Sequence, residues 1–226
     1  MKHQSFDNYL RERLSKCKDK HLPHQKCQDC TFEKDISYKV KYDCPDHKPF
    51  PQGMCQKCLP PTVILGRQSY RHVDYVSFMN VKEMSQFVGA WQRTGQYEQR
   101  MGWLYGYYSE DPNFPDGVRV NVEAIYEPPQ LGELKGVQPL EDPYRPTVDL
   151  VAGALSLERV GYIFTSLNQE KTFLTGDQVK TIAAAQQEHL VDHPVGPKVS
   201  KFITVRVEQQ EGDQIGVECW MASDTC

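Results

Sequence analysis

Apolar positions along the chain switch between helical and strand spacing, and one long stretch obeys neither. Phe6, Tyr9, Leu10 and Leu14 recur at helical intervals behind Ser5, a suitable N-cap. From Lys16 to Pro61 no period survives, and Pro60–Pro61 marks a boundary. Beyond it, Val81, Met84, Phe87, Val88 and Trp91 form one helical stripe. Asn80 is placed to cap it, Glu83 stands at the capping-box position, and Gly95 suits its end. MGWLYGYY, from Met101 to Tyr108, predicts a buried strand. Val118 to Tyr126 alternates like a half-buried one, after the turn-rich DPNFPDG. A proline-rich loop, EPPQ, leads to a predicted helix over Thr147–Leu157 and a strand over Arg159–Leu167. Thr175 can cap a helix running to about Leu190. Lys198–Glu208 and Gln214–Met221 predict a hairpin. Helices alternating with strands in this way give an α/β fold around a mixed sheet.

Composition narrows the classes. The 226 residues carry a net charge of -4, and 39% are apolar. No basic excess marks a nucleic-acid partner, and the lysines around the Cys44–Cys58 ligands, Lys39, Lys41, Lys48 and Lys57, are diluted by Asp43 and Asp46. No apolar run is long enough to span a bilayer, and the polar start carries no secretory signal. Three Trp, twelve Tyr and nine Phe are enough to build a core. Trp103, Tyr105, Tyr107 and Tyr108 alternate along one strand and are expected to pack mostly beneath helices.

The cysteines change the picture most. Six of the eight fall at Cys17, Cys27, Cys30, Cys44, Cys55 and Cys58, inside the aperiodic stretch. Cys219 and Cys226 stand apart, as free thiols by default. Paired spacings in a chain with no secretory signal point to metal rather than disulfides. Cys44-x-x-His47 followed by Cys55-x-x-Cys58 supplies two knuckles, the ligand set of a tetrahedral zinc. Cys27-x-x-Cys30 is a third knuckle and Cys17 a further ligand. Its fourth is His21 or His24, with His21 preferred for its spacing from Cys17. Four protein ligands leave no open position, so both zinc ions are expected to be structural. Metal must also supply the stability that this stretch cannot draw from apolar burial.

HKPFPQGMCQKCLPP runs directly into RQSYRHVDYVSFMN, and MGWLYGYY, AIYEPPQ, RVGYIFTSL and SKFITV follow in order. This succession resembles the nuclear protein localization protein 4 family over most of residues 1–222. The resemblance implies a zinc-finger region with two zinc sites over residues 1–61 and an MPN (JAB/JAMM-like) mixed-sheet domain over 62–226. It further implies a non-enzymatic adaptor that binds ubiquitin and polyubiquitinated substrates. Such an adaptor works with a ubiquitin fusion degradation partner on the hexameric AAA+ ATPase valosin-containing protein. Substrate extraction for proteasomal degradation, including endoplasmic-reticulum-associated degradation, is its implied role. Its implied locations are cytoplasm, nucleus and the cytosolic face of the endoplasmic reticulum, without membrane insertion. The family's ubiquitin-like domain and carboxyl-terminal extension have no counterpart in these residues, as expected of either a fragment or a shortened member.

MPN proteases of the JAMM class hold zinc with an H-x-H pair and an Asp and use a Glu as general base. Here the H-x-H positions read Phe164 and Ser166, the Ser-x-x-Asp pattern reads Thr175-x-x-Gln178, and the base position falls at Gln99. Neighbouring Glu98 is expected on the opposite face. No catalytic residue is therefore assigned, no organic cofactor is expected, and a JAMM-type zinc deubiquitinase is the alternative. His189 and His193 have the spacing of a zinc-protease helix, but Leu190 stands where its glutamate belongs, so both read as solvent-side residues at a helix end. His72 and Asp74 read as part of a structural turn.

Overall fold

The computed structural model describes residues 3–15, 44–48, 52–53, 55, 68–167, 173–194, 198–210 and 214–224. The expected ligands Cys17, His21, His24, Cys27, Cys30 and Cys58 lie outside the described residues. The elements in order are β1 (Gln4–Ser5), α1 (Phe6–Ser15), β2 (Tyr70–Arg71), β3 (Tyr75–Phe78), α2 (Val81–Arg93), β4 (Met101–Asp111), β5 (Gly117–Tyr126), β6 (Gln130–Glu133) and β7 (Gly136–Pro139). There follow α3 (Arg145–Ala154), β8 (Glu158–Ser166), α4 (Gly176–Glu188), β9 (Leu190–Val191), β10 (Val199–Ser200), β11 (Ile203–Gln209) and β12 (Ile215–Trp220). No described helix is long and apolar enough to cross a membrane.

A six-stranded sheet ordered β12-β11-β8-β4-β5-β3 carries the fold. It is mixed: β11 runs parallel to β8 and β3 parallel to β5, while the remaining pairs are antiparallel. Alternation along β8 sends Ile163 to one face and Tyr162 and Phe164 to the other. On the Ile163 side, Phe87 and Trp91 of α2 pack with Leu104, Val120, Val205 and Val207. On the Tyr162 side, Ile182 of α4 packs with Phe202, Trp103 and Trp220. The sheet is thus the middle of three layers, as its central strands' apolar residues on both faces require. Gly106 sits at the bulge between β4 and β5, where a Cβ would come within 1.9 Å of the Asn121 carbonyl oxygen.

Thr175 caps α4 as expected, with the Gln178 side chain completing a reciprocal capping box. Asn80 does not cap α2 through its side chain. Its carbonyl instead accepts from the Glu83 N–H at 3.2 Å, a backbone turn that fills the role. The segment read as a loop after Tyr126 holds the β6–β7 hairpin. Helix α3 starts and stops earlier than its apolar spacing predicted, because Ser156 turns to φ 59 and ends it. Tyr105 is buried and Trp103 half-buried, but Tyr107 is exposed, so the aromatic strand is covered on part of its length only.

Candidate functional site

Cys44 and His47 belong to one turn, and Cys55 returns to it. Their ligand atoms lie within 4.8 Å of one another, the group of metal-binding type found among the described residues. Cys44 Sγ and Cys55 Sγ are 3.9 Å apart. A tetrahedral zinc with Zn–S near 2.3 Å sets two thiolates about 3.8 Å apart, and a disulfide would need about 2 Å. His47 Nδ1 lies 2.6 Å from the Lys48 carbonyl oxygen, so it carries the proton and donates. That leaves Nε2 with a lone pair, and Nε2 is buried with no hydrogen-bond partner. A buried acceptor facing two thiols fits a zinc ion, and bound there the ion would tie Cys55 to the Cys44–His47 turn. Gly53 permits the return: a Cβ there would press on the Lys48 carbonyl oxygen at 3.3 Å.

A second feature is a cleft of about 760 Å³ between the β6–β7 hairpin and the start of α4. Its lining includes Gln99, Trp103, Val137, Phe164, Ser166, Thr175, Gln178 and Arg206. Gln99 is buried and Glu98 exposed, but both precede β4, which begins at Met101, so strand alternation does not apply to them. The Thr165 hydroxyl donates to Gln99 Oε1 at 2.9 Å and accepts the Arg100 N–H at 2.8 Å. Gln99 Nε2 donates to the Gln96 carbonyl at 3.1 Å. Gln178 Nε2 donates to Ser166 Oγ at 3.3 Å, and Phe164 stacks on Tyr162 at 5.8 Å. Gln99, Phe164, Ser166 and Gln178, the four residues compared above with the JAMM pattern, therefore meet in one place. They carry two amides and a hydroxyl that are hydrogen-bonded within the protein, and a phenyl ring stacked on Tyr162.

The walls of the cleft were not legible from spacing. The Gln130 side chain imitates a strand, accepting Met101 N–H at 2.7 Å and donating to the Met101 carbonyl at 2.9 Å. The Gln99 N–H donates to the Glu133 carbonyl at 3.2 Å, and Gly132 lies so near that a Cβ would stand 2.5 Å from Gln99 O. The hairpin is thereby fixed to the cleft floor. Opposite it, Arg206 is only 2% exposed. Its Nη2 pairs with Glu218 at 2.7 Å and Glu208 at 3.1 Å, and its Nη1 donates to the Phe173 carbonyl. This pins the entry to α4. A lone arginine amid alternating apolar residues in KFITVRVEQQ was the available signal.

The other singled-out groups have structural partners. His72 Nε2 bonds to Asp224 at 2.9 Å, whereas Asp74 accepts from Arg71 at 3.0 Å and from the Val118 N–H at 3.0 Å. They are not a dyad. His189 stacks on Phe202 with ring centroids 3.9 Å apart, and His193 bonds to Asp7 at 2.8 Å. Both pack against protein rather than facing solvent.

Comparison with known proteins agrees with these features. Residues 1–95 match the profile of the NPL4 family zinc-binding region, and residues 100–226 match the NPL4 family profile. The nuclear protein localization protein 4 homolog of Homo sapiens is 36% identical over 243 residues, covering 100% of this chain and 38% of the relative. The Drosophila melanogaster homolog is 35% identical over 245 residues, covering 100% of this chain and 36% of the relative. The nuclear protein localization protein 4 of Scheffersomyces stipitis is 38% identical over 168 residues, covering 74% and 28%. The chain thus spans well under half the length of these relatives. By profile, coverage and identity together, the chain belongs to the nuclear protein localization protein 4 (NPL4) family.

Proposed function

We propose that this chain is a non-enzymatic, ubiquitin-binding substrate adaptor. In this reading it acts with a ubiquitin fusion degradation partner to bring polyubiquitinated proteins to the valosin-containing AAA+ unfoldase. Extraction for proteasomal degradation, including from the endoplasmic reticulum, follows from that role, as do locations in cytoplasm and nucleus and at the cytosolic face of that membrane. Residues 1–61 form the zinc-binding region, with two structural zinc ions, and residues 62–226 an inactive MPN domain. Cys44, His47, Cys55 and Cys58 hold one ion; Cys17, Cys27, Cys30 and either His21 or His24 hold the other.

One observation supports the non-enzymatic reading: Phe164, Ser166, Gln178 and Gln99, the residues that the resemblance aligns with the two imidazoles, the carboxylate and the general base of a JAMM protease, line one cleft. A phenyl ring has no lone pair for a metal, and the Gln99 carboxamide cannot take a proton from water at neutral pH. A preformed cleft with aromatic walls and bonded polar groups on its floor is suited to holding a polypeptide without cutting it.

The test incubates linked ubiquitin chains with the purified protein. Retention of the chains on immobilised protein, with no cleavage after prolonged incubation, is the expected result. Cleavage that a chelator stops would establish the deubiquitinase alternative instead. Failure to retain ubiquitin in any linkage would remove the adaptor reading.

A further inference from the structure

Hairpin β6–β7 forms one wall of the cleft without burying a residue of its own. None of residues 130–139 is buried, and Leu131 and Leu134 are 54% and 44% exposed. Apolar contact therefore does little to fix where this wall stands, and polar bonds must do so. They fall at its two ends. At the base, Gln130 holds both backbone groups of Met101, and the Leu140 N–H donates to the Pro129 carbonyl at 2.9 Å. At the tip, where Leu134 and Lys135 line the cleft, the bonds run to Gln99. Its N–H donates to the Glu133 carbonyl at 3.2 Å, and its Nε2 to the Leu134 carbonyl at 3.4 Å.

The same side chain reaches two further elements. Nε2 also donates to the Gln96 carbonyl at 3.1 Å, and Oε1 accepts from Thr165 on β8. The Gln96 carbonyl accepts the Trp91 indole N–H as well, at 3.2 Å. That carbonyl is turned inward because α2 ends in two left-handed residues, Gly95 at φ 67 and Gln96 at φ 66. The Gln96 N–H donates to the Trp91 carbonyl at 3.1 Å and the Gly95 N–H to the Gln92 carbonyl at 3.0 Å, the paired bonds that commonly close a helix. The partners around Gln99 select a carboxamide. Two carbonyl oxygens can only accept, so both hydrogens of one nitrogen must face them. The Thr165 hydroxyl accepts the Arg100 N–H and has its own hydrogen to give, which calls for an oxygen on the other side. Among side chains, only a primary amide sets two donors on one atom beside an acceptor on the next. At 2% exposure, bulk water does not reach Gln99 to replace a lost bond.

The geometry points to Gln99 as the latch of the cleft wall: its carboxamide holds the hairpin tip against the floor and ties both to the end of α2. The bonds between Gln130 and Met101 are the hinge, so loss of the latch lets the hairpin swing outward as a unit and widens the cleft. Gln99 is in this sense a positioning residue. It sets the width of the opening and thereby the size of what can enter. This holds whatever the cleft admits, and so stands independently of the adaptor reading.

Amide hydrogen exchange on the full chain tests this with two substitutions, each read as a ratio to the parent protein at the same pH. Gln99→Met keeps the length of the side chain and loses its hydrogen bonds. Gln99→Glu keeps the shape, has no donor when ionised and regains one O–H when protonated. The reporters are the amide of residue 99, which bonds the hairpin tip, and that of Met101, which bonds its base. Gln99→Met should speed exchange at residue 99 at least about tenfold at about pH 6 and about pH 9 alike, with Met101 changed less than about twofold and β8 still slow. Gln99→Glu should do the same at about pH 9 but fall below about threefold at about pH 6, because a buried carboxyl facing carbonyl oxygens takes up its proton well above the ordinary range. A residue that merely filled space would show no such reversal with pH. Residue 99 staying protected in both variants overturns the proposal. So does equal acceleration at Met101 or through β8, or a Gln99→Glu effect that is the same at both pH values.

Discussion

His47 presents Nε2 to the two thiols because Nδ1 is committed to the Lys48 carbonyl, so a backbone bond sets the tautomer that a metal ligand requires. His47→Ala should lower zinc affinity by about a hundredfold or more, read by competition with a colorimetric chelator. Acidification should also release the metal, since thiolates and a neutral imidazole are its ligands. Within the cleft, Thr165 is 3% exposed and its hydroxyl joins Gln99 to the Arg100 backbone. Thr165→Val keeps the shape but leaves Gln99 Oε1 without that donor and the Arg100 N–H without that acceptor. Stability should fall by about 1–3 kcal/mol, seen as a lower denaturant midpoint at unchanged slope. A midpoint that did not move would mean that water replaces both bonds and that the cleft floor is wetter than its burial suggests.

Elements placed by strong periodicity were legible from spacing, and those placed by contact were not. The stripe of α2, the Thr175 cap of α4 and the apolar strands β4, β5 and β8 follow from local patterns that tertiary packing reinforces. Hairpin β6–β7 was hidden because Pro128 and Pro129 precede it and Gly132 and Gly136 interrupt its alternation. Its place is set by Gln99 and Gln130, which no spacing rule could pair with it. The spacing of Cys44, His47 and Cys55 was likewise legible, whereas the lining of the cleft comes from five separate elements, β4, β7, β8, α4 and β11. Gly132→Ala should therefore be costly for a residue in an exposed hairpin. With a Cβ 2.5 Å from Gln99 O, the hairpin must move off the floor, for about 1–3 kcal/mol. Helix α3 is held in an unusual way, with Ala152 its buried residue while Leu150, Val151 and Leu155 are exposed. Polar bonds do the anchoring: Asp149 accepts from the Tyr105 hydroxyl at 2.6 Å and from Arg159 at 2.9 Å. Burial alone would raise the Asp149 carboxyl, but Tyr105 and Arg159 outweigh it and hold its pKa below the ordinary value. Asp149→Ala should loosen α3 selectively, speeding amide exchange there while β8 stays protected.

At the scale of the whole molecule, tyrosines are built into both faces of the sheet and into the Phe6–Tyr70 cluster, which gives stability a dependence on alkaline pH. Burial pushes Tyr162 up to about 12. Burial also raises Tyr108, and raises Tyr70, Tyr105 and Tyr126 together with hydrogen bonds to Asp224, Asp149 and Asp142. Each phenol is thus harder to ionise in the folded protein than in the unfolded chain. The unfolded chain loses these protons first, near pH 10, and the folded state holds them. The stability Tyr162 contributes is fully present below about pH 10 and drains away as pH rises toward about 12, by up to about 1.4 kcal/mol per pH unit, and the other tyrosines act in the same direction. Denaturant unfolding at a series of pH values should show a plateau to about pH 9.5 and then a steep decline. Tyr162→Phe retains the buried ring without the ionisable group, so it should shallow the decline by one tyrosine's share and leave the neutral plateau nearly unchanged. A plateau extending unchanged beyond about pH 11.5 would mean that these phenols reach solvent readily and that the layers on either side of the sheet are looser than their packing indicates.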